Sequence, residues 1–345
     1  MRAAQLIAPN KIEVAEVPTP SAGSGELVLR VRAATICGTD TRIYRGKKTK
    51  GVRFPSIIGH EFAGEVAEVG SGVEGYAVGD RVAVDPVISC HRCAYCMNGM
   101  ENVCANRTAI GYEFDGAFAE YVRIPATAVA SGQVVRLPTD LDWKEAALTE
   151  PLACCLNGQG NAQVGLDDVV VILGAGPIGL MHVQLARAAG ARHVIVSEPH
   201  EHRRAMAKKA GADAAVDPLA SDLRETVIEL TKGLGADVVI VAIGIPSLVN
   251  DALHLVRKGG RVNLFAGFSA GETSPLDVNA IHYNELSVTG ASALTRQQYH
   301  RALELIAAGK IDVASLITHE FKLDDINEAL NVAESGVGIK IVITP

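Results

Sequence analysis

Four of the seven cysteines crowd into one short stretch, Cys90, Cys93, Cys96 and Cys104. Thiolates at that density suit a closed tetrahedral zinc site, which keeps no open position and acts as a clip on the fold. An iron–sulfur cluster also accepts closely spaced cysteines, but nothing else in the chain suggests electron transfer. Four unrelated thiols packed this closely would be an oxidation liability. A second set of donors is scattered: Cys37 in Cys37-Gly38-Thr39-Asp40, His60 and Glu61 in Gly59-His60-Glu61, and Glu150 in Thr149-Glu150-Pro151-Leu152. A catalytic zinc needs about three protein ligands and one vacant corner. Cys37 and His60 are distant in sequence but could meet in a β-rich domain, with Glu61 ligating directly or through a neighbour and Glu150 completing the set. Taken singly, each is weak, because a lone Cys or His is more often a packed residue than a ligand.

A third motif points to a dinucleotide. Val169-Val-Val-Ile-Leu173 runs into Gly174-Ala175-Gly176-Pro177-Ile178-Gly179 and then a helical pattern. Glycine-rich turns are common, but this one stands between a buried strand and a helix start. There the first glycine permits a tight turn, the second lets backbone approach a pyrophosphate, and the third allows close helix packing. The helix N-terminus offers unpaired N–H groups to the phosphates. Glu198 closes the next strand, where a carboxylate accepts hydrogen bonds from a ribose diol and repels a 2′-phosphate. NAD is therefore expected over NADP, although Arg203 and Arg204 nearby could accommodate the phosphate.

These motifs need elements to hold them. At 345 residues the chain is too long for one ordinary core, and two domains are expected. Its 48% hydrophobic and 21% charged residues fit a globular protein. A net charge of −7 gives no overall attraction to nucleic acid or an anionic membrane. No apolar stretch approaches the roughly eighteen residues of a membrane span, and no signal-peptide pattern opens the chain, so a cytoplasmic protein is expected. Up to about residue 150 the pattern is mostly β and turns, with Leu27–Ala33 alternating. From Val169 it changes to strand and helix in alternation. Strands are expected at Val169–Leu173, His193–Ser197, Ala214–Asp217, Asp237–Ala242, Arg261–Phe265 and Leu286–Thr289, with helices such as Ile178–Ala189 and Ser247–Val256 between them. That is the pattern of a doubly wound parallel sheet. A helix near Gln297–Ala308 and a strand at Ile339–Ile343 form a tail too short to fold alone, which is expected to return to the first domain.

The run Gly59-His60-Glu61-x2-Gly64-x5-Gly70-x2-Val73 resembles the zinc signature of the medium-chain alcohol dehydrogenases. Cys37-Gly-Thr-Asp40, Gly79-Asp-Arg-Val82, the four cysteines, Glu150-Pro151 and the glycine motif follow in that family's order, and the likeness spans essentially the whole chain. A glutamate at position 150 resembles the sorbitol (polyol) dehydrogenase branch, and threonine and sugar-phosphate dehydrogenases share it. The resemblance implies a GroES-like catalytic domain (1–151 and 291–345), a Rossmann NAD-binding domain (152–290) with the site between them, and a homodimer or homotetramer. It implies two zinc ions per subunit, Cys37 and His60 as firm ligands of the catalytic one, and Glu61 and Glu150 as alternating or water-mediated ligands. Cys154 and Cys155 would be packed thiols, Cys154 replacing Glu150 should that side chain point away. Ile178, Glu198 and Arg203 match cofactor-contacting positions, as do Phe265, Gly267 and Ser292. Zinc would acidify a bound hydroxyl while NAD takes the hydride. Thr39 would relay the proton, or else cap a helix beside Asp40.

The sequence departs from that pattern in two places. Where many relatives carry a relay histidine, this chain has Arg42, which cannot shuttle protons. Around it, Arg42, Arg45, Lys47, Lys48, Lys50 and Arg53 fall within residues 41–53 without an acid. Such a run is either a solvated loop or an attractor for an anionic substrate. In Ala291-Ser292-Ala293, the third position lacks the arginine that sorbitol dehydrogenases often place near substrate. The expected activity is NAD-linked oxidation of a secondary alcohol of a polyol, sugar or sugar-derived small molecule, with a sugar-phosphate or threonine-type dehydrogenase as the alternative. A non-catalytic nucleotide-binding relative has no use for an open metal position. A zinc-independent reductase has none for the zinc signature.

Overall fold

The computed structural model describes residues 1–268 and 271–345. The chain divides into two units, Met1–Ala153 with Ala293–Pro345, and Cys154–Ser292.

In the second unit Val169–Leu173 is buried at every residue, as a strand covered on both faces must be. Six parallel strands lie in the spatial order Ala214–Val216, His193–Ser197, Val169–Leu173, Ala236–Val241, Val256–Leu264, Ser287–Gly290. The direction of winding reverses between Val169–Leu173 and Ala236–Val241, and ligands of such sheets bind beyond the strand ends at that reversal. The helix Pro177–Ala188 follows the glycine turn there. Val171, Ile195, Val239 and Leu253 form the core. The six expected strands are these six, three with bounds shifted by a single residue and one with a larger difference. The fifth begins at Val256 rather than Arg261, and its register against Ala236–Val241 shifts near its start. Lys258-Gly259-Gly260 breaks the apolar pattern in that stretch and hid the strand's beginning.

The first unit is β-rich. A three-stranded sheet joins Lys11–Glu16, Arg2–Ala8 and Ser56–Ile57. A seven-stranded sheet runs in the order Val134–Arg136, Arg81–Val84, Glu61–Val69, Leu27–Thr35, Lys340–Thr344, Ile317–Lys322, with Tyr121–Ile124 also paired to Leu27–Thr35. Leu29, Phe62, Phe118 and Ile341 belong to its core. Short helices at Gly38–Tyr44, Ala126–Ala130 and Trp143–Ala147 interrupt the strands. None is long enough to display a helical period, so the sequence pattern did not reveal them.

The last strand positions the site. Lys340–Thr344 pairs antiparallel with Leu27–Thr35, Val342 opposite Thr35, and Thr35 in turn lies opposite Glu61. The Ile36 N–H donates to Ile341 O at 3.0 Å. Three distant stretches of chain are thereby fixed side by side immediately before Cys37. Ile343 is fully buried in this core. Ile343→Ala is expected to cost about 2–5 kcal/mol, read as a shift in the urea midpoint of the first unit's transition. A loss below about 1 kcal/mol would show that the strand contributes little packing.

Candidate active site

His60 is delivered by a turn that only glycine fits. Gly59 has φ +98°, and a Cβ there would lie 2.7 Å from the Phe118 ring. Cys37 caps the helix Gly38–Tyr44, its backbone N–H donating to Asp40 Oδ2 at 2.9 Å. Thr39 is therefore inside the first helical turn, not the cap. The other oxygen of the buried Asp40 faces His60 Nδ1 at 3.2 Å. A proton on Nδ1 then leaves Nε2 as the lone-pair nitrogen, the arrangement that orients metal-binding histidines. Donor atoms of Cys37, His60 and Glu61 lie within 4.8 Å of one another.

Glu61 is fully buried. One of its oxygens accepts from the Thr35 hydroxyl and from Lys340 Nζ, and the other has no hydrogen-bond partner. Lys340 Nζ also donates to Ile36 O at 3.1 Å. Burial works against the ammonium, but Glu61, Cys37 and Glu150 outweigh it and raise the Lys340 pKa. Burial likewise opposes a charged His60, yet Tyr112, Asp40 and Cys37 raise its pKa well above the usual value. Every group around the imidazole thus favours positive charge. An unpartnered buried carboxylate oxygen, a cysteine and an oriented imidazole fit a divalent zinc.

Glu150, also buried, stands in the first turn of the helix Thr149–Ala162 and outside the three-residue group. Its charge is felt at Lys340, Tyr112, Tyr299 and Asp85. Cys155 is buried against Ile178 O at 3.8 Å, and Cys154 belongs to neither group of metal-binding side chains. Sequence reasoning passed over Lys340, Asp40 and Tyr112. The signal for Asp40 was its place in Cys37-Gly-Thr-Asp40; Lys340 carried none, since only folding brings it to Glu61.

The four thiols of Cys90, Cys93, Cys96 and Cys104 also lie within 4.8 Å of one another. Cys93 Sγ is 3.5 Å from Cys96 Sγ and 3.9 Å from Cys104 Sγ. A tetrahedral zinc with sulfur ligands separates them by about 3.8 Å. Backbone N–H groups of Cys90 and Asn106 both reach Cys104 Sγ at 3.3 Å. The Arg92 N–H and the Asn106 side chain pull the Cys90 pKa down to about 6, while burial and the adjoining thiols push Cys96 up to about 12. Such thiols cannot all ionise unless a cation joins them.

In the second unit Gly174 has φ +101°, and a Cβ on Gly179 would lie 1.9 Å from Gly174 O. Gly176 faces open space. Glu198 ties the loop down: Oε2 accepts from Ala175 N–H at 2.9 Å, and Oε1 accepts from His200 N–H at 3.0 Å. Burial opposes its charge, but those hydrogen bonds and Arg203 prevail and hold its pKa below the usual range. Arg204 donates to Glu198 O and Pro199 O and pairs with Asp217 at 3.2 Å. The Phe265 ring packs edge-on to His182 at 4.8 Å, Gly267 is exposed, and Ser292 O accepts from Asn157.

A β-rich metal-binding unit and a parallel-sheet unit with a phosphate-type turn define a metal-dependent dehydrogenase. Residues 177–308 match the zinc-binding dehydrogenase family and residues 23–138 the alcohol dehydrogenase GroES-like domain. The chain belongs to the zinc-binding dehydrogenases: it is an oxidoreductase acting on alcohols, with zinc and a nicotinamide dinucleotide as cofactors. An L-threonine 3-dehydrogenase of Pyrococcus furiosus is 37% identical over 96% of this chain and 94% of its own length. A sorbitol dehydrogenase of Halalkalibacterium halodurans is 34% identical over 96% and 95%. A zinc-binding dehydrogenase of Sinorhizobium meliloti solved with NADP superposes with a TM-score of 0.94 at 36% identity, covering 100% of this chain and 99% of the other. An alcohol dehydrogenase of E. coli solved with NADH gives 0.91 at 34%, with the same coverage. No helix among the described residues is long and apolar enough to cross a membrane.

Metal analysis is expected to return two zinc ions per chain, and Cys96→Ser to leave one with a lowered melting temperature. One zinc in the native chain would remove the case for one of the two sites. Lys340→Met strands the Glu61 carboxylate and should destabilise the first unit by about 3–5 kcal/mol, measured by denaturant unfolding. A neutral effect would show that Glu61 does not depend on that ammonium.

Proposed function

We propose that this chain oxidises a secondary alcohol of a polyol, sugar or sugar-derived substrate to the ketone, using NAD. The convergence of Cys37, His60 and Glu61 carries this reading, because a scaffold or a zinc-independent reductase has no use for such a group. Cys37 and His60 would hold the catalytic zinc, with Glu61 or Glu150 as the third ligand. Bound there, zinc supplies Lewis acidity that makes a substrate hydroxyl easier to deprotonate. Asp40 keeps His60 in the ligating tautomer, and Lys340 holds Glu61 in place. The Thr39 hydroxyl receives the alcohol proton.

The residues proposed for the dinucleotide are Gly174, Gly176, Ile178, Gly179, Glu198 and Arg203, with Phe265, Gly267 and Ser292 around the nicotinamide half. An ionised Glu198 and an Arg204 already engaged by backbone carbonyls and Asp217 favour a ribose diol over a 2′-phosphate. A threonine-type amino alcohol is the second reading, favoured by the 37% identity to the Pyrococcus enzyme. Residues 1–151 with 291–345 would form the catalytic domain and 152–290 the dinucleotide domain, in a cytoplasmic homodimer or homotetramer.

Reduction of NAD at 340 nm is followed over polyols, inositols, sugars, their phosphates and threonine. At least one secondary alcohol should be turned over, and Cys37→Ser should lose more than about a hundredfold in kcat/KM. NADP should be the poorer acceptor, and Glu198→Ala should narrow the gap. Reduction that persists undiminished in Cys37→Ser would sink the zinc mechanism.

A further inference from the structure

The structure sorts the six cations of residues 41–53. Arg45 is committed to Glu334, its Nε reaching the two carboxylate oxygens at 2.7 and 3.0 Å, and to Asn10. Arg53 pairs with Asp115 at 2.9 Å. Both serve to hold the loop. Lys48 goes elsewhere. Its Nζ stands 4.1 Å from the centroid of the Tyr112 ring, and that ring lies 5.3 Å, centroid to centroid, from His60. Lys48 is thus one aromatic ring away from the metal-binding imidazole.

A lysine placed for stability normally meets a carboxylate. Lys48 Nζ donates instead to a backbone carbonyl, Lys50 O, at 2.8 Å. An ammonium has three donors, and among the described residues this one makes no ion pair. Glu113 is the strongest single charge acting on it, and Arg107, Arg42 and Lys50 act in the opposite sense. Half-burial and these cations hold the Lys48 pKa below the usual value. Glu113 Oε2 also accepts from the Ala109 N–H at 2.9 Å. Arg107 arrives from a separate segment, just beyond Cys104, and is anchored through Asn102 O at 2.8 Å. Two separate stretches of chain therefore bring cations within electrostatic reach of Lys48. A folded chain tolerates cations gathered in this way where an anion is to be bound.

We propose that Lys48, standing on the Tyr112 ring within the field of Arg42 and Arg107, binds an anionic group, carboxylate or phosphate, of the alcohol substrate. The inference rests on the dehydrogenase reading for the identity of the ligand, since the hydroxyl partner of that anion is the one the zinc acidifies. Charge-assisted hydrogen bonds from an ammonium are roughly twice as strong as neutral ones, and half-burial limits their screening by salt. Lys48 is then a specificity residue. It touches neither the metal nor the reacting carbon.

The test compares matched pairs on the zinc-loaded full chain: L-threonine with L-threoninamide, and sorbitol 6-phosphate with sorbitol. Binding by calorimetry and kcat/KM are both measured for the native chain, Lys48→Met and Lys48→Arg. The anionic member should be favoured about ten- to hundredfold in one pair. A preference in the first pair assigns a carboxylate and in the second a phosphate. Lys48→Met should remove most of the preference at an unchanged melting temperature, and Lys48→Arg should keep it. The proposal is overturned by a native chain indifferent to charge in both pairs, or by a preference that Lys48→Met retains. Failure to turn over any alcohol would refute the dehydrogenase reading instead, and the calorimetric preference would still decide the role of Lys48.

Discussion

A buried concentration of negative charge around one imidazole is the constraint from which the first unit's architecture follows. Asp40 and Glu61 are removed from water, the half-buried Cys37 joins them, and the ammonium of Lys340 meets Glu61. Burying carboxylates without cations costs several kcal/mol each, so a further positive charge among these groups would stabilise the arrangement. The raised pKa of His60 expresses the same demand in protons. A zinc ion held there, as proposed, would meet it with two charges and give the unpartnered oxygen of Glu61 a cation to face.

Meeting that demand requires strands far apart in sequence. Glu61 is set by its register opposite Thr35, and Lys340 by the pairing of the last strand with the same segment. The chain must therefore leave the first unit, build the parallel sheet and come back before the site is complete. In the parallel sheet a carboxylate again does two things at once. Glu198 fixes the glycine loop through Ala175 N–H and stays ionised at the end of its strand. In the proposed cofactor site, one residue would thus tie the shape of the glycine turn to the charge presented to a ribose.

Much of this was legible in the sequence, and the reasons differ by residue. Strands covered on both faces, such as Val169–Leu173, announce themselves as unbroken apolar runs. The four cysteines declare a metal by density alone, and Gly174, Gly176 and Gly179 gain meaning from the strand before them and the helix after. Cys37, His60 and Glu61 became a set only through the order of motifs along the chain, and the fold then brought their donor atoms together. Lys340 was silent, because a lysine in a terminal strand looks like any surface lysine until pairing buries it. The basic run 41–53 was ambiguous for the same reason. Whether each cation meets Glu334, Asp115 or Tyr112 depends on contacts across the fold that no local pattern encodes.

That difference explains why chemistry and specificity are separable here. Residues at the metal are interlocked: changing Asp40 frees both the Cys37 N–H and His60 Nδ1, and changing Lys340 strands Glu61. Lys48 is tied by one hydrogen bond to Lys50 O and by the Tyr112 ring, with no contact to the interlocked set among the described residues. Arg42 illustrates the trade. A guanidinium cannot pass a proton, so under the proposed role of Thr39 the alcohol proton would have no histidine at position 42 to receive it and would reach solvent another way. In exchange the basic segment 41–53 carries one more cation. A site that gives up proton shuttling for constant charge is better suited to holding an anionic substrate in one orientation than to accepting neutral alcohols at large.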